Sequence, residues 1–243
     1  VKASQFERQE VYSWLFKSRH QGARDSRIRT MLEVEAFLDI HQRWQAVGYP
    51  FDHLVPSLAT AIGSSGDRPA ALAELMGIIL NDGVRGKVLR IDSLHFAAGT
   101  PYETRVVNTP DPGKRVMPSE VASALRGALS RVVDAGTAKR VSGSFTQADG
   151  TPMAMGGKTG PGDNRIQAMG AGGRLISSKS INRTATFVFF IGDHHFGTLT
   201  AFVPGSSAQG FKFTSALPVQ VLKVMAPLLM PYLQGSSEVM RGG

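Results

Sequence analysis

Along the first half of the chain apolar residues recur at three- and four-residue steps, and along the second half they alternate, so the pattern predicts helices first and strands afterwards. Residues 5 to 18 read as a short helix closed by the polar, glycine-containing KSRHQGARDS. Asp25 or Ser26 then caps a longer helix, whose stripe is Ile28, Met31, Leu32, Phe37, Ile40, Trp44 and Val47, and Gly48 ends it. The next helix starts near Asp67 with an early proline, Pro69, carries Leu72, Leu75, Met76, Ile79 and Leu80, and stops at Gly83.

Between residues 87 and 108, VLRIDSLHF and YETRVV alternate as two strands joined by AAGTP. A further helix begins at Pro118 with Val121, Leu125, Leu129 and Val132 on one face, and Gly136 in DAGTA is its expected left-handed cap. After the turn signal QADGTP come strands at 152 to 159, 184 to 193 and 196 to 204. Only His194 and His195 separate the last two, which makes them an antiparallel hairpin. Residues 214 to 234 close the chain as a helix with Leu217, Val221, Val224 and Leu228 apolar. Pro218 lies near its start, and Pro227 and Pro231 are expected to kink or fray its end. Helices on either side of a mainly antiparallel sheet define a helix-packed α+β domain.

Composition narrows the partners. The chain has 243 residues, 42% apolar and 19% charged, which suits one folded domain with a real core. Its 27 basic and 19 acidic residues give a formal charge of +8, which favours anionic partners: nucleic acid, a membrane surface or an acidic polymer such as cell wall. The arginines are scattered and no nucleic-acid motif occurs, so nucleic acid is not expected. The absence of cysteine excludes disulfides and thiolate metal sites. No run of about 18 apolar residues occurs, so no membrane span is expected. The amino terminus VKASQFERQE is no signal peptide and opens on Val1, so any export signal or anchor is expected upstream of this chain.

Chemistry concentrates in MAMGGKTGPGDNR, residues 153 to 165. A strand that gives up apolar side chains for glycine marks a place where another backbone or a ligand comes close. Lys158 supplies a compact charge, Thr159 a hydroxyl on the alternate face, and Gly160 room for a peptide main chain to run alongside. The competing reading is that Lys158 and Thr159 only solubilise an edge strand. His194 and His195, adjacent on a tight turn and without an acidic cluster, read as a solvated turn, so neither metal nor cofactor is expected. Asp163, Asn164 and Arg165 fit a turn after the motif.

The order of segments, DAGTAKRV, a loop, PMAMGGKTG, two strands and a terminal helix, resembles the carboxy-terminal half of the penicillin-binding transpeptidase domain of bifunctional class A type. VPSLATAIGSSGDRPAALAELMGIILNDG is similar to a further segment of that family, and the likeness runs from about Arg29 to the end. It divides the chain into an amino-terminal segment, residues 1 to 27, a transpeptidase-like part, 28 to 234, and a tail, 235 to 243.

The resemblance implies a serine transpeptidase/β-lactamase-like fold, incomplete at its amino-terminal side, located outside the cytoplasmic membrane. It implies D,D-transpeptidation of peptidoglycan stem peptides ending in D-Ala-D-Ala, with β-lactams as covalent inhibitors. It also implies that Gly157, Lys158, Thr159 and Gly160 bind the substrate, the last three belonging to the catalytic set. That family uses Ser-x-x-Lys and, ahead of Lys-Thr-Gly, Ser-x-Asn; no Ser-x-x-Lys occurs here, and the one Ser-x-Asn, Ser180-Ile181-Asn182, lies after Lys-Thr-Gly instead of before it. Ser13 and Lys17 are one residue too far apart, which turns the lysine about 100° further round a helix. Counting back from VGY, the second motif falls at Ser26 in SRI, where Ile28 relays no proton, so Ser26 is either a helix cap or a catalytic group. Pro161 stands where the family has a hydroxyl residue.

Two function classes follow: the carboxy-terminal part of a D,D-transpeptidase cut off from its nucleophile, or a non-catalytic module binding cell-wall peptide or a protein. In that family two amino-terminal strands cover the last strand, so FGTLTAFVP is expected to have an open edge and the chain to self-associate.

Overall fold

The computed structural model describes residues 2–17, 19–63, 65–91, 93–109, 111–170 and 174–239. The chain divides into two compact units, residues 1–67 and 68–243.

The first unit consists of helices α1 (Lys2–Leu15) and α2 (Gln21–Ala46) and a closing turn, Leu58–Ile62. Helix α2 begins ahead of the expected cap: His20 is the extended residue before it, and Ser26 lies within the helix, its carbonyl accepting the Thr30 hydroxyl at 3.0 Å. A cap contributes only about 1 kcal/mol, and other contacts override it here. Arg27 reaches back to the Trp14 carbonyl at 2.7 Å and covers the Trp14 ring, which draws the preceding turn into the helix. The stop falls as expected, with Gly48 at φ +103 and its N–H on the Gln45 carbonyl. Phe37, Tyr49 and Leu54, with Ile40 against them, form a small core.

The second unit opens with α3 (Pro69–Leu80), which has its proline in the first turn and ends at Gly83, φ +84, whose N–H reaches the Ile78 carbonyl. Strands β2 (Ser93–Phe96) and β3 (Thr104–Val107) pair antiparallel but are shorter than the alternation predicts. A two-residue ladder, β1 (Val84–Arg85) with β4 (Lys114–Arg115), is too brief to leave a sequence pattern. Helix α4 (Ser119–Asp134) follows Pro118. Its expected inward stripe is corrected in part: Ala122 and Val133 are buried, whereas Val121 and Leu125 are exposed.

Strands β5 (Met155–Met169), β6 (Leu175–Ile191) and β7 (His195–Pro204) form one antiparallel sheet in that order. The β6–β7 turn is Gly192–Asp193–His194, with Gly192 at φ +63. Both β5 and β6 run far past the expected limits. Asp163, Asn164 and Arg165 do not turn; they pair with Arg183, Asn182 and Ser180 in a two-stranded ribbon. Ladder hydrogen bonds belong to the backbone, so a polar sequence continues them once the register is set. Pro161 is tolerated because β5 is an outer strand.

The core gathers Val133, Ala138, Val141 and Phe145 from the end of α4 and the turn after it. Phe187, Phe189 and Ile191 of β6 meet Val219, Leu222 and Ala226 of α5 (Ala216–Val239) there. Helix α5 does not fray at its prolines. It continues through Pro227 and Pro231, held by packing of its Val219–Ala226 face. Leu217, Val221, Val224 and Leu228 are its exposed side, Leu228 at 71%. The expectation of no apolar span is corrected as well: Ala216–Gln234 is long and apolar enough to cross a membrane by length and composition, a test that core helices also pass. Gln220 and Lys223 interrupt the continuous run and hid it from the sequence.

Candidate functional site

Three structural devices position the Lys158 edge. The first is the turn after α4. Gly136 is not left-handed, which corrects the expected cap; a Cβ there would lie 2.9 Å from the Val132 Cα and carbonyl oxygen. This glycine is needed for close approach, and the Ala138 N–H closes the turn on the Val132 carbonyl. The turn delivers Thr137, whose hydroxyl meets that of Thr159 at 2.7 Å.

The second is the pair Gly156 and Gly157. A Cβ on Gly156 would come within 2.3 Å of the Phe190 ring and 2.9 Å of Leu129 in α4. One on Gly157 would meet the Phe187 ring and the Val188 carbonyl, each at 2.5 Å. Their missing side chains therefore serve the packing of β5 against α4 and β6. The third is the entrance to β5. Asp149 accepts the Thr151 hydroxyl at 2.6 Å and its N–H at 2.9 Å, and these bonds, the hydroxyl's first, hold the carboxyl below its ordinary range.

On this support the side chains alternate. Thr159 is buried, and Lys158 is exposed with its ammonium on the Thr159 carbonyl at 2.6 Å. Among the described residues no carboxylate forms an ion pair with Lys158. Gly160 differs from the two glycines before it: a Cβ there would have nothing within 4 Å. An ammonium without a partner carboxylate, beside open space on an outer strand, is chemically suited to an extended peptide ending in a carboxylate. Two clefts of the unit, of 480 Å³ at Arg115–Glu120 and 560 Å³ between Glu74 and Val88, lie elsewhere and are lined by none of Lys158, Thr159 and Gly160.

Ser26 belongs to the other unit, exposed on α2. Its neighbour one turn on, Arg29, is a permanent cation and accepts no proton. Lys158, Thr159 and Gly160 are thus together by adjacency on β5, and Thr137 is the addition that sequence reasoning missed. It lies inside DAGTA, 22 residues before the hydroxyl it meets, so no local pattern marks it. His194 is exposed on its turn, and the neighbouring Asp193 pairs with Arg126, which also covers the Phe190 ring. Among the described residues no cluster of three metal-ligating side chains occurs.

A three-stranded antiparallel sheet with α3 and α4 before it and α5 after it is the α+β fold of part of a penicillin-binding transpeptidase domain. Penicillin-binding protein 1A from Haemophilus influenzae matches it with a TM-score of 0.53 at 18% identity, over 82% of this chain and 32% of that one. Penicillin-binding protein 3 from Mycobacterium tuberculosis, complexed with aztreonam, matches at 0.49 and 18% identity, over 79% and 45%. The D,D-transpeptidase domain of a peptidoglycan glycosyltransferase from Eggerthella lenta matches at 0.47 and 15% identity, over 82% and 50%. The chain spans half or less of the length of these structures, and the match to penicillin-binding protein 1A, at 18% identity, establishes the fold alone. No protein-family model matches the chain, and no curated protein sequence does.

Proposed function

We propose that this chain is the carboxy-terminal part of a peptidoglycan D,D-transpeptidase domain, and that its Lys158–Gly160 edge holds the terminal carboxylate of a D-Ala-D-Ala stem peptide. The observation that carries this reading is the exposed Lys158 ammonium beside the open space at Gly160. The ammonium supplies the countercharge. The outer edge of β5 adds main-chain hydrogen bonds to an extended peptide, and Thr159, steadied by Thr137, keeps the strand end in place.

In the intact protein a serine oxygen would attack the carbonyl of the penultimate D-Ala and release the terminal D-Ala. The acyl group would then pass to an amine of a neighbouring stem peptide. This chain has no Ser-x-x-Lys, so the acylation step is assigned to residues outside it, and Ser26 is a nucleophile only if a base reaches it from elsewhere. Work on cell-wall peptide would place the intact protein outside the cytoplasmic membrane, where β-lactams reach it.

The same lack of Ser-x-x-Lys favours a second reading, a module that retains carboxylate recognition without acylation. A titration with an acyl-D-Ala-D-Ala peptide and its carboxy-terminal amide tests what the two readings share. The acid is expected to bind about tenfold more tightly, since the amide lacks the charge that Lys158 meets. Equal affinity for acid and amide would refute recognition of the carboxylate.

A further inference from the structure

The β5–β6 ribbon carries a second concentration of positive charge, separate from Lys158. Asp163 stands opposite Arg183, and Arg165 stands opposite Ser180, because the ladder slips by one residue at Ile181. Alternation then places all four side chains on one face of the ribbon. Asp163 Oδ2 accepts from both guanidiniums, Arg165 Nε at 3.1 Å and Arg183 Nη2 at 3.2 Å. Arg165 Nη1 also donates to Ser178 Oγ at 3.1 Å, and Arg183 Nη1 to the Phe213 carbonyl at 3.4 Å. One carboxylate therefore meets two guanidiniums, and the cluster keeps a net positive charge.

Two donors in it are unused. Ser180 is only 2% exposed, and among the described residues neither its hydroxyl nor Nε of Arg183 has a hydrogen-bond partner; both atoms are shut off from solvent. Buried polar atoms without partners are rare in folded proteins, because the water they gave up is not replaced. Surplus charge and surplus donors coincide on one face of the ribbon, and a small anion with acceptor oxygens answers both. Asp163 limits the charge that fits, since its carboxylate repels a dianion more than a monoanion.

We propose that this face of the ribbon, built from Arg165, Ser180 and Arg183, binds a small carboxylate. It is a second anion site on the strand that carries Lys158, five residues beyond it at Asp163. The carboxylate is either free or borne by a peptide. Binding would tie Arg183, and through it the Phe213 carbonyl, to the root of the ribbon.

The experiment is a titration with acetate at constant ionic strength, read from the Arg183 Nε–H cross-peak in ¹H–¹⁵N spectra and from the melting temperature. The expected result is a saturable shift of that cross-peak with a rise in melting temperature, and about tenfold weaker binding in Ser180→Ala, which removes one donor to a charged group. Arg183→Gln should abolish the effect; Ser180→Ala, which keeps the packing, preserves the test if the arginine variant does not fold. Phosphate in place of acetate should bind more weakly. A short peptide with a free carboxy terminus that shifts the same cross-peak more tightly than acetate identifies a peptide-borne source. No saturable shift, or an equal one in Ser180→Ala, would overturn the proposal and leave the donors to water or to an adventitious ion only. Repeating the titration in Lys158→Ala separates the two sites: loss of the acetate effect there would assign the anion to the Lys158 edge and remove the ribbon site.

Discussion

The hydroxyls of Thr137 and Thr159 meet at 2.7 Å, joining the turn after α4 to the strand that carries Lys158. Thr159 is 5% exposed, so its hydroxyl depends on this one partner rather than on water. Thr137→Val keeps the shape and removes the partner. The expected loss is about 1–3 kcal/mol of stability by denaturant titration, the cost of an unsatisfied buried hydroxyl, with Thr137→Ser close to the parent. If valine were as stable as threonine, the bond would contribute nothing.

The glycines of the motif should respond oppositely to the same change. Gly156→Ala and Gly157→Ala put a methyl group within 2.3 and 2.5 Å of the Phe190 and Phe187 rings and should destabilise by about 1–3 kcal/mol. Phe190→Leu should relieve the first in part. Gly160→Ala meets nothing within 4 Å, so its melting temperature should stay near the parent's while affinity for D-Ala-D-Ala peptide falls. Equal destabilisation at all three positions would remove Gly160 from the binding edge.

Strand β7 is an outer strand of the sheet, with Phe202 57% exposed along it. A long outer strand pairs with whatever strand it meets, so sedimentation velocity should show association that grows with concentration. Phe202→Lys should reduce it. A single monomeric boundary at every concentration would contradict this.

Glu103 gives the β2–β3 hairpin an acid limit. Its carboxylate accepts the Gly99 N–H at 2.8 Å and contacts His95 at 2.7 Å, and the first of these is the larger reason its pKa lies below the ordinary value. A depressed carboxylate contributes order that is present above the unfolded pKa and is lost as pH falls through the folded one. Amide-exchange protection at Gly99 should therefore persist at neutral pH and disappear in acid below the usual glutamate range. Protection that ignores pH, or survives in Glu103→Ala, would contradict the assignment.

The helix limits at Pro69, Gly48 and Gly83 were readable because each is set by one residue whose backbone has little choice. The start of β5 and the identity of its motif were readable for a similar reason, as a local run of glycine around one cation. Three things were not. The ribbon beyond Pro161 is stabilised by backbone ladders that polar residues such as Asn164 and Ser178 do not announce. Helix α5 has apolar residues on both sides, and only the sheet decides that Val219 and Leu222 face inward while Val224 and Leu228 face out. Thr137 and Thr159 are 22 residues apart, and their contact exists only once Gly136 lets the turn close on Val132.

The most direct measurement is the affinity of an acyl-D-Ala-D-Ala peptide for the parent chain and for Lys158→Ala, at two salt concentrations. The parent should bind at least about tenfold more tightly at low salt and lose part of that advantage at high salt, as a charge-assisted contact on an open edge does. Indistinguishable affinities in the two proteins would contradict the account.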